Sequence, residues 1–327
     1  MKIQENIAPI IKKDAKKVNT KNKYNDPLKS WPLKGFAYSN EIGAVVSEIS
    51  PKAGTVLWVP ALMYFGADIY DKYKNEENNY NPSTKRGIKE AIFQTMASVI
   101  LPTLAVAFGQ KTISSLNRMT KTGLSTQAKE DVLTKSLSYM ESKNLHKFSR
   151  NKKNYIEGFK EAISLMAKDS KGDLKTLPLS KKVLLAINPL KNTDSIATAN
   201  EKKLILFAEN QATKVMDIHT SLIKNKKPEQ LSKRLFKKFQ KIQGEYQKIY
   251  PAEKYMEKAA KSILRDYHSS QIFKNRMVKT IGGFIALALL IKPIDEFVEN
   301  IVIKKAVEPS FDYLEKEIKL QNQQKNN

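Results

Sequence analysis

The sequence predicts an all-α protein associated with a membrane, with up to three proline-kinked apolar helices and a large basic helical region. Three uncharged apolar runs interrupt an otherwise charged chain, and the long stretch between the second and third runs is rich in Lys. The 327 residues include only 12 Gly and 13 Pro, too few for a sandwich or barrel built on many tight turns. A hydrophobic content of 41% excludes a chain that is disordered throughout.

The apolar runs cover residues 53–67, 91–110 and 280–291. The second run has no charge over 20 residues, and as a helix it would extend about 30 Å, the thickness of the hydrocarbon layer of a bilayer. Pro60 and Pro102 interrupt the first two runs, and proline kinks a helix by removing a backbone donor. Transmembrane helices tolerate such prolines, because neighbouring groups satisfy the freed carbonyls.

The same runs also fit a soluble protein, in which they would form three buried core helices. The distribution of charge favours the membrane. Residues 111–279 contain 36 basic and 16 acidic side chains, whereas residues 292–327 contain 6 and 7. If all three runs cross, the segments on one side sum to +25 and those on the other to 0. The positive-inside rule then predicts a membrane location with the large basic region in the cytoplasm.

These patterns divide the chain into five segments. We expect a flexible basic arm at 1–40, an apolar helical hairpin at 41–115 with candidate spans at 53–70 and 91–110, a basic helical region at 116–279, an apolar or amphipathic membrane segment at 280–307, and a polar tail at 308–327. The arm has no apolar core long enough for a secretory signal.

The sharpest helical periodicity lies between Pro228 and Pro251. Apolar side chains recur there at intervals of three and four residues: Leu231, Leu235, Phe239, Ile242, Tyr246 and Ile249. Basic side chains occupy the adjoining face: Lys233, Arg234, Lys237, Lys238, Lys241 and Lys248. The helix either packs its narrow stripe against another helix, as in a coiled-coil seam, or docks on an anionic membrane surface, or contacts nucleic acid. The chain has 51 Lys and 6 Arg, which argues against base recognition by bidentate contacts.

Enzymatic chemistry has little support in the sequence. Without Cys there is no thiolate metal site and no Cys nucleophile. His146, His219 and His268 have no second His at metal-binding spacing, and neither a phosphate-binding loop nor a Gly-x-Ser-x-Gly elbow occurs. We therefore expect no enzymatic activity, no catalytic residue, no cofactor and no metal.

Three carboxylates flank the candidate spans and are the best remaining site residues: Glu48, Asp68 and Asp295. An ionisable side chain at membrane depth is a functional hypothesis in its own right, and it would suit a transport path.

The sequence thus favours a non-enzymatic α-helical membrane protein with a scaffold or interaction role. Its basic cytoplasmic face would contact anionic membrane lipids, and a helical protein or a second copy of the chain would be a further partner. Two alternatives remain. One is a soluble helical protein that binds polyanions, with nucleic acid the least favoured of them; the other is a small transporter-like protein.

Overall fold

The computed structural model describes residue 28 and residues 33–76, 79–176 and 196–325 of the chain. Most of this part of the chain is helical, and its strands form one hairpin of two residues each, with turns and short irregular segments between the helices. The all-α prediction is therefore confirmed. Most of the predicted basic arm at 1–40 lies outside the described residues.

Between residues 33 and 116, the part of the chain described first, the structure places five helices. These are α1 (Leu33–Ala37), α2 (Ser39–Val46), α3 (Pro51–Lys74), α4 (Thr84–Phe93) and α5 (Leu101–Leu116). Strands β1 (Asn75–Glu76) and β2 (Asn79–Tyr80) pair antiparallel between α3 and α4. A π-helical turn, Gln94–Ile100, joins α4 to α5 without a break.

The described residues after 116 contain six further helices. These are α6 (Thr126–Ser142), α7 (Lys152–Thr176), α8 (Glu201–His219), α9 (Lys233–Tyr246), α10 (Ala252–Phe297) and α11 (Glu308–Lys325). Short 3₁₀ turns occupy Asn117–Met119, Ile196–Thr198 and Pro228–Gln230, and π-helical turns occupy Thr220–Lys224 and Val298–Val307. The third apolar run therefore lies in one helix that continues through Lys292 and Pro293.

Side chains that begin the helices explain several of these boundaries. Ser50 precedes Pro51, and its Oγ accepts a hydrogen bond from the Ala53 N–H at 3.4 Å. Ser125 Oγ accepts from the Ala128 N–H at 3.1 Å. Each bond satisfies one of the free N–H groups of a first helical turn.

The prolines within the apolar helices are accommodated in two ways. The helix α3 continues through Pro60, whereas Pro102 and Pro309 each follow a π-helical turn by two residues. Proline cannot donate to the carbonyl four residues before it. For Pro102 that carbonyl belongs to Ser98, and it accepts a hydrogen bond from the Asn40 side-chain amide instead.

The chain divides into two compact units. Unit 1 comprises the described residues of Met1–Val106 and Gly283–Asn327, and unit 2 those of Ala107–Gly282. Unit 2 has one large hydrophobic core to which α6, α7, α8, α9 and α10 all contribute, with fully buried side chains such as Phe159, Leu204 and Ile263. The described residues of unit 1 form two much smaller clusters, Val45 with Val106 and Leu287, and Ala97 with Val298 and Ile303.

Helices α2 and α3 pack backbone to backbone in unit 1. A Cβ atom added to Gly54 would lie 2.7 Å from Ser47 Cβ and 2.9 Å from the carbonyl oxygen of Gly43. Small residues at such crossings let two helices approach closely, as is common in membrane helices. Gly54 is therefore needed at this crossing.

We predict that Gly54→Ala lowers the melting temperature of the purified protein, because the added methyl group overpacks the crossing at a cost of about 1–3 kcal/mol. Gly66→Ala on the same helix is the matched control, since no atom lies within 4 Å of its added Cβ. That control should be neutral or stabilising by about 0.5–1 kcal/mol, through helix propensity. Circular dichroism melting curves compare the two variants, and equal melting temperatures would show that α2 and α3 do not cross at Gly54.

Candidate functional site

The basic amphipathic helix α9 packs its apolar stripe into the core of unit 2. Leu231, Leu235, Phe239 and Ile242 are buried there, and Ile249, after the end of the helix, is 67% exposed. This is the arrangement that the packing interpretation predicts. The helix begins at Lys233, and Pro228 starts a separate 3₁₀ turn before it.

The six basic residues predicted as a site fall into two groups. Lys238 Nζ lies 2.7 Å from Asp266 of α10, and Arg234 donates to Ser270 Oγ at 2.8 Å. These two side chains bind α9 to α10. The other four are exposed to solvent, as is Arg234, and Lys241 lies 4.0 Å from Glu245 of its own helix. These four are Lys233, Lys237, Lys241 and Lys248.

The three carboxylates predicted at the span ends have different surroundings. Asp68 is buried at 8% exposure, Glu48 is half-buried in the turn after α2, and Asp295 is exposed on α10. Of these three, only Asp68 belongs to a buried polar cluster. The Gln94 amide nitrogen donates to Asp68 Oδ2 at 2.7 Å and to Glu90 Oε1 at 2.8 Å.

The partners of Asp68 were missed in the sequence because Glu90 and Gln94 lie at the edge of an apolar run. Their spacing of four residues places both on one face of a helix, which is the signal that could have indicated them. Ser98, one turn further, donates its hydroxyl to Gln94 Oε1 at 2.9 Å.

A cleft of about 310 Å³ opens beside Glu90 in unit 1. Its other lining residues are Lys72, Arg86, Lys89, Phe93, Glu299 and Ile303. Arg86 forms an ion pair with Glu76 at 3.1 Å, and Lys89 pairs with Glu308. The cleft therefore brings cationic groups close to the half-buried carboxylate of Glu90.

A buried ion-pair cluster in unit 2 joins α6 to α10. Glu130 accepts from Arg276 Nε at 2.8 Å and lies 2.9 Å from Lys279 Nζ. The side chains of Glu130 and Lys279 are 8% and 9% exposed. Lys279 also donates to Gln127 Oε1 at 3.0 Å. Arg276 and Lys279, which precede the third apolar run, therefore form hydrogen bonds and ion pairs with side chains of α6.

His268 and Ser136 form a hydrogen-bonded pair in the core of unit 2. His268 Nδ1 lies 2.8 Å from the Leu264 carbonyl oxygen, so its other nitrogen accepts from the Ser136 hydroxyl at 2.9 Å. Both residues are fully buried, and we interpret the pair as a satisfied core contact. Among the described residues no group of three or more His, Asp or Glu is placed to hold a metal ion.

Two helical stretches within the described residues are long and apolar enough to cross a membrane: Thr84–Met119 and Ala252–Gln324. This criterion rests on length and composition alone. The most apolar window of each stretch is 33% buried. Helix α3, which contains the candidate span at 53–70, does not meet the criterion; its last turns contain charged side chains such as Asp68, Asp71 and Lys72.

No protein-family model matches the chain, and comparisons with curated proteins and with solved structures give no match.

We predict that Glu130→Gln destabilises unit 2 by about 3–5 kcal/mol, because it leaves Lys279 buried without its carboxylate. The matched control is Glu141→Gln, which removes the exposed ion pair between Glu141 and Arg265 on the same two helices. An exposed pair contributes about 0.2–1 kcal/mol. Urea unfolding of both variants measures the difference, and equal losses would contradict a special role for the buried cluster.

Acidification should destabilise unit 2 through its buried histidines. Burial lowers the pKa of His219 and of His146. The unfolded chain therefore binds more protons than the folded one as the pH falls below about 6.5, and the free energy of unfolding decreases. Burial raises the pKa of Asp131, which acts with the opposite sign, so wild type must be compared with a variant. His219→Gln should lose less stability between neutral pH and about pH 5 in urea titrations; an unchanged loss would exclude His219 as a source.

Proposed function

We propose that this protein is a helical membrane protein with a scaffold or interaction role, anchored in a bilayer by the apolar helices of unit 1. The observation that supports this most directly is that the most apolar parts of the chain are poorly buried. A core helix of a soluble protein would be mostly buried, whereas the apolar windows of the two candidate stretches are 33% buried.

Large apolar side chains of unit 1 lie exposed on three helices. They include Val56, Val59, Leu62 and Met63 of α3, Leu104 of α5, and Phe284, Ile285 and Leu289 of α10. Exposed apolar surface on this scale is typical of an interface with lipid or with another protein. A soluble polyanion-binding protein, the first alternative, would have to leave these side chains in water.

The charge asymmetry supports a cytoplasmic unit 2 whether or not α3 crosses. With crossings at the second and third runs alone, residues 111–279, with 36 basic and 16 acidic side chains, lie alone on one side. If α3 crosses as well, residues 1–52, with 10 basic and 5 acidic side chains, join that side. The positive-inside rule gives the same orientation in both cases.

The geometry of α9 changes which residues we assign to the anionic lipid surface. Helix α9 is bound to α10 at Asp266 and Ser270. The apolar run begins at Thr280, about 15 Å further along the helix axis than Ser270. The cation–π contact of Lys258 with Tyr246 places the far end of α9 level with residue 258, further still from that run. The headgroup layer adds about 5–8 Å to the hydrocarbon, and charges are screened beyond about 8 Å at physiological salt. In a bilayer beginning at Thr280, the lysines toward the far end of α9 are therefore too distant for the headgroups, and Lys233 lies at the limit.

Four basic residues nearer to the apolar runs replace them in our proposal: Lys111, Arg118, Lys121 and Lys274. Each basic residue held near anionic lipid contributes about 1 kcal/mol. The exposed lysines of α9 then remain available to an acidic surface of a partner protein.

Extraction and labelling test this proposal, and the absence of Cys makes single-cysteine labelling specific. We expect the protein to stay in the membrane fraction in alkaline carbonate and to leave it in detergent. A membrane-impermeant maleimide should label Lys237→Cys from the cytoplasmic side and Glu315→Cys from the opposite side. Release by carbonate would reject the membrane anchor, and labelling of both positions from one side would reject the orientation.

The side from which Lys52→Cys, at the start of α3, is labelled shows how many times the chain crosses the membrane. Labelling from the same side as Lys237→Cys indicates that α3 crosses, and labelling from the side of Glu315→Cys indicates two crossings.

A further inference from the structure

Unit 1 contains a hydrogen-bonded polar chain among apolar helices. We define the polar chain by its five residues: Asn40, Asp68, Glu90, Gln94 and Ser98. It links α2, α3 and the helix formed by α4 and the following π-helical turn. Burying polar groups costs free energy unless they are paired, and π-helical turns are frequent at functional sites. These five buried or half-buried polar residues therefore need an explanation beyond packing.

The two carboxylates of the polar chain are close neighbours. One amide nitrogen, that of Gln94, donates to Asp68 at 2.7 Å and to Glu90 at 2.8 Å. Two carboxylates this close repel one another when both are ionised, and such a pair is relieved by sharing one proton. The Gln94 amide nitrogen is thus hydrogen-bonded to both carboxylates.

The outer end of the polar chain is accessible, because Glu90 lines the cleft of about 310 Å³ described above. The charges that face the pair come from three elements. Lys72 of α3 lies 4.0 Å from Asp68, Arg86 and Lys89 line the cleft from α4, and Glu299 lines it from the π-helical turn after α10. Water in this cleft can deliver and remove protons.

The inner end of the polar chain has an oxygen without a hydrogen-bond partner among the described residues. Asn40 is 1% exposed; its nitrogen donates to the Ser98 carbonyl, and its Oδ1 accepts no hydrogen bond. A buried acceptor of this kind calls for a specific explanation. Ser98 connects Asn40 to Gln94, because its carbonyl accepts from Asn40 and its hydroxyl donates to Gln94. The Asn40 Oδ1 is therefore a further hydrogen-bond acceptor at the inner end of the polar chain.

We propose that Asp68 and Glu90 together bind one exchangeable proton, taken up from water in the cleft. On uptake, an O–H bond forms on one carboxylate oxygen and hydronium in the cleft becomes water; on release the reverse occurs. This function goes beyond the membrane anchor and supports the transporter-like alternative, because a proton site within apolar helices is an element of proton pathways.

Infrared difference spectroscopy of the full-length protein, in the medium in which it is purified, tests the proposal. Titration from alkaline pH to about pH 6, where exposed carboxylates remain ionised, should produce a carbonyl band of a protonated carboxyl group that shifts in D₂O. We expect Asp68→Asn and Glu90→Gln each to abolish this band. The control Asp312→Asn removes a carboxylate of unit 1 that is 64% exposed, and it should leave the band unchanged.

Glu90→Asp keeps a carboxyl group and should retain the band at a shifted pH midpoint, which guards against loss through misfolding. The proposal is overturned if wild type shows no such band, if the band survives in both neutral variants, or if sodium ions displace it. The infrared measurement is independent of carbonate extraction. The proton site can therefore be rejected while the membrane anchor is supported, and the membrane anchor can be rejected while the proton site is supported.

Discussion

The apolar side chains of unit 1 must be kept from water, and the protein itself buries few of them. Unit 2 has a single large core, whereas the described clusters of unit 1 each contain three buried residues, although its helices contain the most apolar sequence. Hydrophobic burial is the main favourable term in folding. We therefore propose that an apolar environment outside the chain covers the exposed side chains of unit 1, which is the reason for the proposed location in a bilayer.

The hydrogen bonds of the polar groups in unit 1 agree with the proposed bilayer location. In hydrocarbon every backbone donor and acceptor needs a partner within the protein, and the Ser98 carbonyl that Pro102 leaves without a donor accepts from Asn40. The Asp68 carboxylate accepts a hydrogen bond from Gln94, in the π-helical turn after α4. The same Gln94 amide also donates to Glu90, so two carboxylates lie close together, and their mutual repulsion is the physical reason for assigning a proton to the pair.

The basic charge of unit 2 serves different purposes at different positions. Arg276 and Lys279 are held by Glu130, and Arg234 and Lys238 lie against Asp266, so these charges join helices within the unit. The exposed lysines of α9 face solvent, where a partner can reach them. A net charge of +24 therefore overstates the charge available for recognition, and its position along the chain is more informative than its size.

The sequence by itself determined the helices and the faces they bury. The stripe from Leu231 to Ile242 recurs with the period of an α-helix, and the uncharged run at 91–110 is long enough to span a bilayer, since both properties depend on neighbouring residues. Only the tertiary structure decided which polar side chains meet. Glu130 and Lys279 are 149 positions apart, and Asp68 and Gln94 are 26 apart. Their pairing depends on how helices turn their faces toward one another, which local periodicity does not specify.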